Sequence, residues 1–190
     1  MIDLTNKRAV IFGLPGTGKS LLLEHILKST RKHIIYDPLN EHGPKDGSQG
    51  FTRYVPTDRH SADELNTFIE KGVIARRNDY DLLAIDEMNI YVRPKPTPLP
   101  RAVADLNDMS RHFLLSWLGV ARRPSQFHTD IVELAHFVFL FKLPGANDYR
   151  YMESLSKGLG DTVRALPKYH FAILEDGVRV TVHTPVNINV

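Results

Sequence analysis

The sequence predicts an α/β fold with a mainly parallel central sheet, flanking helices and a C-terminal β-hairpin. Three observations predict it. Short apolar runs alternate with stretches of helical periodicity along most of the chain. The first such run, Arg8-Ala9-Val10-Ile11-Phe12, leads through a glycine-rich loop straight into a leucine-rich helix. Near the C-terminus, Asp176-Gly177 separates two β-prone runs, a strong two-residue hairpin signal. With 190 residues and 42 % hydrophobic content, the chain is expected to build one core and one domain over residues 1–190.

After the first strand, Leu21, Leu22, Leu23, Ile26 and Leu27 give one apolar face of a helix. The cluster Arg31-Lys32-His33 is placed to favour that helix's C-terminal end. His33 to Tyr36 reads as a second strand, and Asp37 to Gly47 as a loop rich in turn formers. Phe51 to Val55 is expected as an extra strand, Ala62 to Arg77 as a helix, Leu82 to Ile85 as a short buried strand and Ala102 to Phe113 as another helix. Between the last two, Arg93 to Arg101 has proline at every second position, which forbids helix and favours an extended loop. Leu114 to Val120 and Phe137 to Lys142 are two further strands, with a short helical stretch near Ile131 to Ala135 between them. Tyr169 to Glu175 and Val178 to His183 form the hairpin. Trp117 and the alternating Phe137, Phe139 and Phe141 read as core strand residues rather than a base-stacking platform.

The loop Gly13-Leu14-Pro15-Gly16-Thr17-Gly18-Lys19-Ser20, running on into Leu21, matches the P-loop pattern G-x-x-x-x-G-K-[ST] in its required strand–loop–helix setting. A loop that wraps a triphosphate turns its backbone N–H groups inward, and glycine at Gly13, Gly16 and Gly18 supplies clearance and unusual dihedrals. Lys19 brings a charge to the β- and γ-phosphates, Ser20 a hydroxyl ligand for Mg²⁺, and the helix start a positive dipole end. The expected ligands are therefore ATP and Mg²⁺.

Asp81-Leu82-Leu83-Ala84-Ile85-Asp86-Glu87 is the second chemical signal. A buried strand ending in an acidic pair places Asp86 at the carboxyl edge of a parallel sheet, beside the P-loop, where it can hold the Mg²⁺ shell. Glu87, one residue further on, can orient or deprotonate the water that attacks a γ-phosphate, which suits hydrolysis better than transfer to a small acceptor. The residues alone thus indicate a P-loop ATPase and no more; the fold read for the chain is a RecA-like α/β domain.

Five stretches, "GLPGTGKS", "IIYDPLNE", "LLAIDE", "RHFLLSWLGVARRPSQF" and "DIVELAHFVFLFKLP", in this order, resemble the FtsK/HerA superfamily of ring-forming, DNA-translocating ATPases, especially its small viral genome-packaging members. The resemblance spans about Arg8 to Leu174. It implies a homo-oligomeric ring, hexamer or pentamer, acting on double-stranded DNA, with a capsid or portal-vertex protein as partner. It also implies an arginine inserted in trans into a neighbour's site. Arg111 is the first candidate and Arg123 the second, the alternative for each being a surface arginine or an ordinary ion pair. In that family the strand before Arg-Pro usually ends in Thr-Gln, the glutamine sensing the γ-phosphate. Here Ala121-Arg122 stands there, making Arg122 the candidate sensor or a subunit-interface residue.

Composition narrows the classes further. Lys and Arg number 24 against 22 Asp and Glu, a net charge of +2, so a nucleic-acid partner has to be argued from local patches such as Arg93, Lys95 and Arg101 on the proline-rich loop. That loop is either a basic projection toward DNA or a surface connection. No cysteine is present, no apolar stretch reaches membrane-spanning length and the N-terminus lacks signal-peptide features, so a cytoplasmic protein is expected, in the host cell or with the virion if viral. The nine histidines show no helical pair with a third ligand near, and no zinc is expected. A small-molecule kinase lacks its arginine-rich lid and a GTPase its guanine-reading motif. An assembly or secretion factor of the zonula-occludens-toxin type is the remaining alternative, although such proteins usually carry a transmembrane segment. The small size favours a packaging motor over cellular translocases with large accessory domains.

Overall fold

Each apolar run of the parallel part becomes a strand in the computed structural model, which describes residues 3–44, 50–76 and 78–186. Met1 and Ile2, the loop end Lys45 to Gly47, and Arg77 of the expected second helix lie outside the described residues. The strands are β1 (Arg8–Phe12), β2 (His33–Tyr36), β3 (Arg53–Tyr54), β4 (Leu82–Ile85), β5 (Ser116–Ala121), β6 (Phe137–Phe141), β7 (Phe171–Glu175) and β8 (Arg179–His183). They form one eight-stranded sheet in the order β3-β2-β4-β5-β1-β6-β7-β8. The first six in that order pair in parallel, while β7 runs antiparallel to β6 and β8 antiparallel to β7. At the β7–β8 turn, Asp176 and Gly177 both take positive φ, 47° and 70°, as a two-residue hairpin turn matched to strand twist requires.

Helices cover the two faces unequally. α1 (Lys19–Ser29) packs Leu22, Leu23 and Leu27 on one face, against Ile11, Phe139 and Phe171 among others. α2 (Ala62–Thr67), α3 (Arg101–Met109), α4 (Thr129–Glu133), α5 (Ala146–Leu155) and α6 (Leu159–Ala165) contribute to the core on the other face, around Phe12, Trp117 and Leu140. Because the central strands are covered on both faces, every residue of β5 and β6 is buried and their apolar runs are continuous. Phe137, Phe139 and Phe141 therefore serve as core, each worth about 2 kcal/mol of burial.

Several boundaries differ from expectation. Only Arg53 and Tyr54 of the Phe51 to Val55 run pair with the sheet. The helix begun at Ala62 continues as a π-helical stretch, Phe68–Val73, and a 3₁₀ turn, Ile74–Arg76. α3 stops at Met109 rather than Phe113, because Leu115 N–H bonds back to the Ser110 carbonyl and Leu114 turns into a left-handed conformation at φ 53°. Leu114 is consequently exposed and β5 begins at Ser116. Leu21 also faces outward from α1. Arg31 and Lys32 lie past the end of α1, and Lys32 Nζ donates instead to the Asn78 carbonyl at 3.0 Å. α5 and α6 were not expected at all: α5 places only Met152 of its apolar residues fully inside, so it carries little apolar periodicity.

Candidate nucleotide site

The strand order fixes the site. β5 lies between β1 and β4, so the loops leaving the carboxyl ends of these three strands stand side by side. The loop after β1 carries Lys19, that after β5 Arg122 and that after β4 the Asp86-Glu87 pair.

The loop after β1 has the backbone its glycines predict, for more than one reason. Gly16 and Gly18 take φ 75° and 108°, and a Cβ at Gly16 would meet nothing, so conformation alone selects glycine there. At Gly13 the constraint is contact: a Cβ would lie 2.6 Å from Thr17 Oγ1 and 2.8 Å from Phe141 Cβ, on the end of β6. Thr17 Oγ1 donates to the Leu14 carbonyl at 2.7 Å and Lys19 Nζ to the same carbonyl at 3.3 Å, holding the loop closed on its own lysine. Burial pulls the Lys19 pKa below the ordinary lysine value, against the opposing charges of Glu87 and Asp86. Leu14 and Thr17 are part-buried and Pro15 and Ser20 exposed, Ser20 being the second residue of α1.

Asp86 follows β4 and is buried. Its Oδ1 accepts the Glu87 N–H at 2.8 Å and its Oδ2 lies 2.9 Å from His42 Nε2. Glu87 sits in a left-handed conformation, φ 42°, and its Oε2 accepts Arg122 Nε at 3.0 Å. The candidate sensor and the candidate base are thus bonded to each other. A carboxylate and a hydroxyl, Asp86 and Ser20, are hard oxygen donors of the kind Mg²⁺ takes, so the residues fit the ion that the motif implies.

His42, missed by sequence reasoning, is the centre of a buried group. Asp37, at the end of β2 and fully buried, accepts the N–H groups of Glu41 at 3.0 Å and His42 at 2.9 Å and lies 3.6 Å from Arg53 Nη1. This wraps the loop tightly enough to bring the imidazole over Asp86, with its other nitrogen, Nδ1, 3.4 Å from Glu24 Oε1 on α1. Burial alone would lower the His42 pKa, but the hydrogen bond and charge of Asp86, with Asp37 and Glu24, outweigh it and raise the pKa above the usual histidine value. Ligand atoms of Asp37, His42 and Asp86 lie within 4.8 Å of one another, a grouping that a search for helical histidine pairs does not detect.

The other two arginines lie elsewhere. Arg123 Nη1 donates to Asp148 Oδ2 at 2.9 Å, and Ser125 Oγ to Asp148 Oδ1 at 2.6 Å. Asp148 is fully buried at the start of α5, so Arg123 is engaged within its own chain, the ordinary ion pair allowed for it above. A Cβ at Gly145 would lie 2.7 Å from Asp148 Oδ2 and 2.8 Å from Arg123 Nη1, so any larger residue there would have to displace the pair. Arg111 stands before β5, at the amino edge of the sheet, across the molecule's strands from the P-loop of its own chain. Its Nη2 lies 2.6 Å from His136 Nε2. His136 Nδ1 already accepts the Arg8 N–H at 3.1 Å, so in the neutral ring Nε2 bears the proton and faces Arg111 donor against donor. Arg111 is exposed and weakly held.

On the proline-rich loop, Lys95 pairs with Asp130 at 2.5 Å and Arg101 lies 3.8 Å from Glu70. Among the described residues no carboxylate comes within salt-bridge distance of Arg93.

The sequence matches no protein-family model and no curated protein. Solved structures do match. The genome packaging NTPase B204 from Sulfolobus turreted icosahedral virus 2, in complex with ATP-gammaS, superposes with a TM-score of 0.83 at 19 % identity, over 96 % of this chain and 98 % of that one. The same NTPase in complex with AMPPCP gives 0.80 at 21 % identity, over 97 % and 100 %. The N-terminal domain of zonular occludens toxin from Neisseria meningitidis gives 0.57 at 12 % identity, over 96 % and 95 %. The chain has the fold of a viral genome-packaging P-loop NTPase.

Proposed function

We propose that this protein is an ATP-hydrolysing motor that translocates double-stranded DNA, packaging a viral genome into a capsid. The observation that carries the reading is the row Lys19, Arg122, Glu87 at one sheet edge, with Arg122 bonded to Glu87 at 3.0 Å beside a closed P-loop. The near full-length superposition on a packaging NTPase supports it.

The residues divide the work by position. The P-loop N–H groups and Lys19 bind the β- and γ-phosphates. Ser20 and Asp86 would hold Mg²⁺, which when bound supplies neutralising charge to the phosphate oxygens. Glu87 holds the attacking water in line and takes its proton. Arg122, carrying a full charge where the resembling family has an amide, exchanges its bond to Glu87 for one to the γ-phosphate, so nucleotide binding frees the carboxylate. Arg111 reaches a neighbour's nucleotide in a homo-oligomeric ring, and the exposed Arg93 meets the DNA backbone, a contact indifferent to sequence and weakened by salt.

The deciding experiment is steady-state ATP hydrolysis by the purified protein, with and without double-stranded DNA, across a salt series. Stimulation that fades as salt rises is expected. Hydrolysis indifferent to DNA, with a capsid partner supplied, favours instead an assembly or secretion ATPase, a reading that the likeness to the zonular occludens toxin domain keeps in view.

A further inference from the structure

We propose that His42 is a positioning residue for the metal-binding carboxylate: its Nε2–H holds Asp86 Oδ2 at 2.9 Å and thereby sets how tightly Mg²⁺–nucleotide is bound. The proposal rests on the reading of Asp86 as a Mg²⁺ ligand and adds a residue to it.

A carboxylate at a strand end rotates freely about its terminal torsion unless both oxygens are engaged. Asp86 has both engaged, Oδ1 by the neighbouring Glu87 N–H and Oδ2 by His42. The first bond is local and fixes little beyond the turn itself. The second comes from a residue 44 positions away and needs a chain of supports. Asp37 organises the loop by accepting two consecutive backbone N–H groups, that of His42 included. Asp37 and Asp86 end adjacent parallel strands, β2 and β4, so the loop crosses from one to the next. Glu24 stands behind the imidazole at 3.4 Å, on the helix that begins with Lys19. The helix carrying the phosphate-binding lysine and the strand carrying the metal carboxylate are thus joined through one buried ring, 1 % exposed.

The group is not a second metal centre. His42 Nε2 turns its proton, not a lone pair, toward Asp86, and the Asp37 oxygens each serve a backbone N–H of the loop, so the ring adds no ligand at the shared point and acts on Asp86 as a donor. Orientation of a metal-binding carboxylate by an outer hydrogen bond is the chemistry that remains, and loss of such a partner commonly costs about 10- to 100-fold in metal affinity.

The test is the affinity of the full chain for ATPγS, titrated with Mg²⁺ and separately in EDTA, for wild type, His42→Ala, His42→Gln and Glu24→Gln. Wild type should bind more tightly with Mg²⁺. His42→Ala should keep its EDTA affinity and lose about tenfold or more of the Mg²⁺ affinity. His42→Gln, whose amide N–H can reach the same oxygen, should recover most of that loss, and Glu24→Gln should show a smaller one. If His42→Ala does not fold, as its melting curve would reveal, the glutamine variants decide. Full Mg²⁺-linked tightening in His42→Ala overturns the proposal, and so does an equal weakening with and without Mg²⁺ that glutamine fails to restore. Failure of wild type to bind ATPγS at all would remove the nucleotide reading itself, an outcome distinct from either.

Discussion

The two edges of the sheet carry charge in opposite ways. At the carboxyl edge, charges meet their counterparts within the chain: Arg122 with Glu87, His42 with Asp86, and Lys19 among Asp86 and Glu87. At the amino edge, Arg8 and Arg111 converge on His136, whose pKa is lowered first by burial and then by these two cations, with only Asp176 opposing. The difference shows where the chain is self-sufficient. The carboxyl edge can hold its geometry alone, whereas at the amino edge Arg111, among the described residues, meets no carboxylate within salt-bridge distance and faces a histidine instead. In the proposed ring Arg111 finds its anion in a neighbour's nucleotide.

The sharpest way to break the comparison is at Lys19. Lys19→Ala should abolish measurable ATPγS binding while leaving the amino edge untouched; unchanged affinity would remove the phosphate site. Next in size is Arg111→Ala, expected to slow turnover by about 10³-fold, the lower end of what a trans arginine contributes. Lys19→Ala and Arg111→Ala subunits should each be inactive alone yet active when mixed, since one supplies the arginine and the other the nucleotide. A mixture that stays inactive would return Arg111 to a surface role. Glu87→Gln should bind ATP normally and hydrolyse it about 10²-fold or more slowly in single turnover. Normal hydrolysis there would leave the pair with Arg122 as simple charge balance. Smallest for catalysis is Asp148→Ala, which removes a buried carboxylate and its hydrogen bonds to Arg123 and Ser125: stability should fall by about 3 kcal/mol and the melting temperature by roughly 6 to 12 °C. Turnover well below the melting point should stay near wild type, and a collapse in turnover would mean that Arg123 serves the reaction after all.

How much of this was legible depended on whether the signal was local. The P-loop could be read because its chemistry and backbone are written within Gly13 to Ser20, and β1, β4, β5 and β6 because strands covered on both faces are continuous apolar runs. The Asp176-Gly177 turn needs positive φ twice and says so in two residues. α5 and α6 were silent because their helical faces are mostly polar, held by pairings such as Arg123 with Asp148 that join distant positions. His42 was silent for a related reason. Its role exists only where α1, the loop after β2 and the end of β4 meet, and no spacing in the sequence records that meeting.

One feature of the parallel sheet limits what the chain can build. Arg111 and the P-loop lie at opposite ends of the same strands, so a contact that brings one to the other joins two unlike surfaces. In the head-to-tail ring proposed above such a contact is heterologous: an open pair of subunits leaves one arginine edge and one nucleotide edge unused, and closure into a cycle satisfies both. If the proposed ring forms, turnover per subunit should climb steeply with protein concentration until the cycle closes.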